Sequence, residues 1–474
     1  MTPLASSAPF AFYLAFIVFY FLRPQAHWPV LGAFRPTVVL LALLAVVLLA
    51  YSNQLKGRLA TPIAKPLLAF IAYIFISLPF VEWPGSVLRH HVEPFVLVVS
   101  LFFLTVWIVD SPQRLRRAVD VFILCQLARV LDPLRLHLTQ GYWGSGAHLG
   151  GGEFMERLAG APWDVVNPNG LGFVCVTALA FVHYCWLVHG SAMKRIFAFA
   201  AQPTIVYVLL LTGSRSALIA LLVVVIGMVM LSRRRALLLA VVGVGAAATL
   251  SVMNPMQLDR FRSIYDATAV NASTAQGRTD SVMNDFRLGL QRPILGTGLG
   301  TSPEARAHDG RRAKKSHNLY TEALIETGLI GLVLYCVFIF TMLRYSWRRL
   351  SEIRKATEAD TRRPRDPLEG ILRSMTVWLP MALVFSLAQY GITEWHWYLI
   401  GGLVVAATRS DGRPTDARPD AAVIGRAAPI RRSFGAARSR TMGESSFPKS
   451  GLGGSLRTHP TGRIRLGGVL AKSQ

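Results

Sequence analysis

A succession of long apolar runs, broken by short polar stretches, restricts this chain more than any other feature. A helix needs about 20 apolar residues to cross the hydrocarbon core of a bilayer. Runs of that kind lie near residues 8–22, 34–51, 65–81, 94–110, 117–137, 170–189, 196–212, 216–231 and 236–253. After a long polar stretch, three more lie near 319–343, 371–390 and 394–408. The expectation is an all-α polytopic membrane protein with about twelve transmembrane helices. The fifth run carries Gln126, Arg129 and Asp132 and needs protein rather than lipid around it. Only 16% of the residues are charged and 52% are hydrophobic, whereas a soluble chain carries roughly a quarter charged residues. That excludes a secreted disulfide scaffold, a disordered chain and an ordinary cytosolic enzyme.

The net charge of +24 would suit a nucleic-acid binder, but the basic residues are spread over loops and a tail, where they first set topology. Lys56, Arg58 and Lys65 follow the second run, Arg114, Arg116 and Arg117 the fourth, Lys194 and Arg195 the sixth, and Arg233, Arg234 and Arg235 the eighth. Arg344, Arg348, Arg349, Arg354 and Lys355 follow the tenth. Every even exit is basic, which predicts cytoplasmic termini. The N-terminal MTPLASSAPF has no basic residue and runs straight into the first apolar segment, so that helix is expected to stay uncleaved.

The pattern divides the chain into transmembrane spans one to nine (1–253), a large external loop (254–317), spans ten to twelve (318–408) and a basic tail (409–474) whose Arg, Gly, Ser and Pro content predicts disorder. The loop is basic despite its external position, which long translocated loops tolerate, and a basic external loop invites an anion. Around Thr279–Leu290, the spacing of Val282, Phe286 and Leu290 predicts a short amphipathic helix, part of a cap resting on the membrane. Cys125, Cys175, Cys185 and Cys336 fall in apolar runs without ligand spacing, so neither a disulfide framework nor a zinc site is expected.

The signatures of soluble enzymes, such as a phosphate-binding GxxxxGK[ST] loop, HExxH or a GxSxG elbow, do not occur. Leu295–Gly300 (LGTGLG) is glycine-rich but lacks the strand–helix context of a nucleotide site and reads as a tight turn. Arg215, in the hinge LTGSRS between two apolar runs, is costly at that depth unless it snorkels or grips a polar ligand. A planar guanidinium there suits a phosphate. His317, in SHNLYTE, sits where Asn318 or Ser316 caps the tenth span. Helix N-termini favour anions, and a histidine there serves as base or phosphate ligand. Arg278 opens the loop helix, and Arg311 and Arg312 add charge beside it. Glu322 and Glu326 share one helix face at i,i+4. The NPNG run at 167–170 reads as a cap followed by a helix start.

Together, NPNGLG at 167–172, LTGSRSALIAL at 211–221, GRTDSV at 277–282, RPILGTGLG at 292–300 and SHNLYTEALIETGLIGLVLY at 316–335 resemble the O-antigen ligase family, which also includes O-antigen polymerases and protein O-oligosaccharyltransferases. The first 160 residues match no such motif, and the basic tail departs from the family. The resemblance implies a membrane glycosyltransferase of the all-helical GT-C type in the bacterial inner membrane. It further implies inverting, metal-independent chemistry on the periplasmic face with no cofactor, an undecaprenyl-diphosphate-linked glycan as donor, and a lipid A-core or polysaccharide acceptor among membrane lipids, with no nucleic acid. By the same resemblance Arg215, Arg278 and His317 are the catalytic set; Asn318, Glu322, Arg311 and Arg312, beside them in the sequence, are expected on the substrate. A polymerase of the same family is the alternative, and a polytopic transporter or flippase the reading from a different class. The absence of internal repeats and the basic groups gathered at one face argue against transport.

Overall fold

A computed structural model describes residues 7–55, 57–148, 154–252, 258, 272–359, 366 and 368–409. Most of the expected tail and part of the expected external loop lie outside them. The described chain is mostly helical. Its long helices are α1 (Ser7–Leu22), α2 (Pro36–Ala50), α3 (Ala64–Ser77), α4 (Val92–Ile108), α5 (Pro112–Gln140), α6 (Pro168–Phe181), α7 (Ala192–Leu211), α8 (Arg215–Leu231) and α9 (Arg235–Val252). There follow α10 (Ala272–Gln291), the short α11 (Ser302–His308), α12 (Leu319–Ala359), α13 (Glu369–Phe385) and α14 (Trp395–Arg409).

Local sequence sets where many of these begin. Proline occupies the first turn of α2, α5 and α6, where its missing N–H costs nothing. Ser111, Asn167, Ser191 and Ser214 cap α5, α6, α7 and α8 by accepting a backbone N–H. Among the described residues four stretches are long and apolar enough to cross a membrane, namely Pro84–Ile108, Pro168–Val188, Ala192–Leu211 and Leu319–Ala359, and five shorter apolar helices accompany them. Large apolar side chains such as Leu49, Phe199, Leu222 and Phe340 are exposed along these helices. An apolar exterior of this extent belongs in lipid.

The core is aromatic. Phe102, Phe338 and Tyr398 join α4, α12 and α14, while Trp378 and Trp397 join α13 to α14. At one end of the bundle Arg409 reaches the carbonyls of Gly57 and Val106, Arg58 pairs with Asp110, and Lys194 pairs with Asp120 at 2.6 Å. The basic exits of several helices therefore meet there.

Two features depart from expectation. The segment 138–169, between the fifth and sixth apolar runs, contains an antiparallel hairpin of β1 (Gly144–His148) and β2 (Phe154–Leu158), so the chain is not purely helical. The loop helix α10 starts earlier than Thr279. The face packed against protein carries Asp285 and Leu288, while Phe286 and Leu290 of the expected apolar face are exposed. Spacing of apolar residues does not show the buried carboxylate, whose partner is Arg306.

Candidate functional site

The hinge between α7 and α8 is built from three separate stretches of sequence. Gly213 takes a left-handed backbone (φ 55°), Ser214 caps α8, and Arg215 becomes the first residue of the helix, 8% exposed. Asn169, in the first turn of α6, accepts hydrogen bonds from the Ser214 hydroxyl and from Arg157 Nη2, each at 2.9 Å. Arg157 Nε also donates to the Thr212 carbonyl at 2.8 Å. Gly172 makes the contact possible, since a Cβ there would lie 2.5 Å from Ala217 Cβ. The NPNGLG and LTGSRS motifs are therefore one packed unit, braced by a buried arginine from β2.

The segment leading to His317 is fixed from below. Asp285 of α10 takes a bidentate bond from Arg306 at 2.7 and 2.8 Å, a bond from Ser316 Oγ at 2.8 Å and one from Arg311 at 3.2 Å. Arg311 is thus held by Asp285 and Asp309, while Arg312 is exposed. Ser316 and Asn318 are buried on either side of the exposed His317. Asn318 Oδ1 accepts from the N–H groups of Tyr320 and Thr321, and its amide donates to the Leu387 carbonyl. Asn318 therefore caps α12 and ties it to the turn after α13.

Glu322 and Glu326 continue this face of α12. Glu322, 1% exposed, accepts from the backbone N–H of Gly391 at 2.6 Å and of Ile392 at 3.3 Å. Glu326 accepts from Gly300 at 2.7 Å and Ser302 at 3.4 Å. One carboxylate holds the α13–α14 turn and the other the glycine-rich turn, so LGTGLG serves backbone positioning. Gly328 then breaks α12 with φ 64°, where a side chain would strike the Ile294 carbonyl.

Between these units lies a polar cavity of about 170 Å³, lined among others by Arg23, Arg129, Asp164, Asn167, Gln389, Tyr390 and Glu394. Arg129 Nε bonds Asp164 at 2.9 Å, which gives the polar fifth run the protein partner it needed. Val165, also lining the cavity, has φ 52°. A β-branched residue in that region is strained, and such strain concentrates at working sites. An adjoining apolar cavity of about 690 Å³ shares Phe21, Arg129 and Asp164 with it. Tyr390 faces outward as well, with its ring 6.5 Å from the His317 ring and Lys315 Nζ 4.8 Å above it. Tyr390 and Glu394 belong to the linker outside both helices. Burial, with Glu394 and Glu322 nearby, pushes the Tyr390 phenol up to about 12, so it stays a donor. Burial also raises the Glu394 carboxyl, against the opposing pull of Lys315, Arg129 and Arg23.

Of the residues expected from sequence, Arg215 follows Ser214, which bonds Asn169, and the His317 ring lies 6.5 Å from that of Tyr390; neither Arg215 nor His317 is among the residues lining the cavity. Arg278 lies near the start of α10. Arg157, Tyr390 and Glu394 were missed. The signal for Glu394 was present in the sequence as an ionisable residue opening the apolar run EWHWYLIGG, a placement that marks function by default.

The described residues form a helical protein with the apolar exterior of a membrane protein and a small polar cavity lined by Arg23, Arg129, Asp164, Asn167, Tyr390 and Glu394. Residues 198–336 match the family model for O-antigen ligase. Over that stretch, less than a third of the chain, the protein is similar to O-antigen ligases, a likeness that supports glycosyl transfer of the ligase or polymerase kind in general. No curated protein matches the chain.

Proposed function

We propose that the protein is an inverting, metal-independent glycosyltransferase of the GT-C type with twelve spans. It moves a glycan from undecaprenyl diphosphate to a sugar hydroxyl of lipid A-core on the periplasmic face of the inner membrane. In this reading residues 254–317 are the periplasmic loop, both termini are cytoplasmic, and 409–474 is a basic cytoplasmic tail. The observation that carries it is the packed hinge: a nearly buried arginine at a helix start, braced by Arg157 and Asn169 beside a polar cavity.

A diphosphate leaving group needs little acid assistance if preorganised cations meet the charge that develops as the glycosidic bond breaks. Arg215 and Arg278 are assigned that role, and His317 acts on the phosphate or as base. The exposure of His317 next to Lys315 supports the phosphate role, because a cationic neighbourhood favours an anion. The apolar cavity beside the polar one suits a lipid chain that stays in the bilayer while its head group reacts.

The test is transfer in vitro by the full chain in nanodiscs, with undecaprenyl-diphosphate glycan, lipid A-core and EDTA throughout. Joined product that vanishes in Arg215→Ala supports the reading, and full transfer by Arg215→Ala overturns its residue assignment. Donor units joined to one another would make the protein a polymerase, and transport without joining would exclude transferase chemistry.

A further inference from the structure

We propose that Glu394 is the general base of the transfer and that the small polar cavity receives the acceptor hydroxyl. This rests on the transferase reading above.

The cavity holds two carboxylates, and their situations differ. Asp164 is committed to Arg129. Glu394 is not committed: among the described residues no donor lies within hydrogen-bonding or ion-pairing distance of its carboxylate. The contrast with Glu322 and Glu326 on the neighbouring helix is direct, since both of those are saturated by backbone N–H groups. Glu394 is half-buried and its carboxylate is open to the cavity, so a ligand entering there can supply the donor that the protein does not.

Its surroundings suit the task. Arg23, Arg129 and Lys315 are within electrostatic reach and favour its ionised form. The cavity wall behind it is apolar and rigid, with His396 packed against Phe173 and Trp378. Asn167 and Gln389 offer neutral polar groups for sugar hydroxyls. Tyr390 lines the cavity and also faces His317, so an acceptor in the cavity and a diphosphate near His317 would meet across one side chain.

The step then balances as follows. The acceptor O–H gives its proton to the Glu394 carboxylate while its oxygen bonds to the anomeric carbon. The bond from that carbon to the phosphate oxygen breaks on the opposite face, and the diphosphate leaves with the electron pair. The cationic groups meet the new charge, and Glu394 later releases its proton to water.

The test uses the full chain in nanodiscs with undecaprenyl-diphosphate glycan and lipid A-core, comparing wild type with E394Q, E394D and E394A. The near-isosteric E394Q is expected to lower kcat by about 10²–10⁴-fold, with donor KM and donor binding unchanged. E394D should retain more activity than E394Q, and added formate should restore part of the E394A activity. Wild-type turnover in E394Q, or E394A that binds donor but is not rescued by formate, would overturn the proposal. If wild type itself joins nothing with matched substrates, the transferase reading fails and this inference with it.

Discussion

The Ser214 hydroxyl lies 2.9 Å from Asn169 Oδ1 and donates to it, joining a helix-start motif near residue 170 to a hinge 45 residues later. The same oxygen accepts from Arg157, so one amide organises the loop that presents Arg215. Asn169→Ala removes both bonds, while Ser214 keeps Ser216 at 3.2 Å and Arg157 keeps the Thr212 carbonyl. The expected cost is about 0.5–1.5 kcal/mol per lost bond, seen as a lower Tm in nanodiscs, with transfer reduced. An unchanged Tm would show that the hinge is held by other contacts.

Asp285 and Arg306 are 1% and 7% exposed at their side chains and share two bonds. Losing a sole partner leaves a buried charge at a cost of about 3–5 kcal/mol, and the loss of Arg306 should cost less than that because Asp285 keeps Arg311 and Ser316. Arg306→Ala should therefore open the segment before His317 to limited proteolysis. The double variant with Asp285→Ala should recover part of the loss in a double-mutant cycle, and additive losses would refute the coupling.

Glu322 receives two backbone N–H groups and is 1% exposed. Glu322→Gln keeps an acceptor oxygen in place, so transfer should persist with donor KM unchanged. Glu322→Ala should destabilise by about 1–3 kcal/mol. A large rise in donor KM for Glu322→Gln would restore a substrate role.

Asn318 caps α12 through Tyr320 and Thr321, whereas the neighbouring His317 is exposed. Asn318→Ala should lower stability by about 1 kcal/mol. His317→Ala should leave stability unchanged and reduce transfer. Thermal unfolding measured beside activity separates the two, and a matching loss of Tm in both would contradict it.

The pH dependence follows from Glu394. Burial raises its carboxyl above the usual range, and Lys315, Arg129 and Arg23 partly oppose this. A base must be ionised, so the rate should fall as pH drops through that raised value, and E394Q should lose this acid limb. Tyr20, Tyr390, Asp164 and His396 face the same cavity, and Tyr390, held up to about 12, does not titrate in this window. A limb that persists in E394Q belongs to another group.

The apolar runs, the proline and serine starts of helices and the family motifs were legible because each is local: about 20 apolar residues in a row, or a cap beside its own helix, carry their meaning without neighbours. The cost of charge in the fifth run was legible for the same reason, though its partner was not. Asp164 lies 35 residues from Arg129, and no spacing rule connects them.

What the sequence by itself determined is that this chain must lie in a membrane as helices, resemble the O-antigen ligase family, and carry arginine and histidine near helix starts. Only the tertiary structure decided which polar groups are already committed. Asp285, Arg311, Asn318, Glu322 and Glu326 look as available as Glu394 when read along the chain. Each is occupied by a partner from elsewhere in the fold. Whether a buried polar group is free for chemistry depends on which donors and acceptors surround it, and long-range packing alone supplies them.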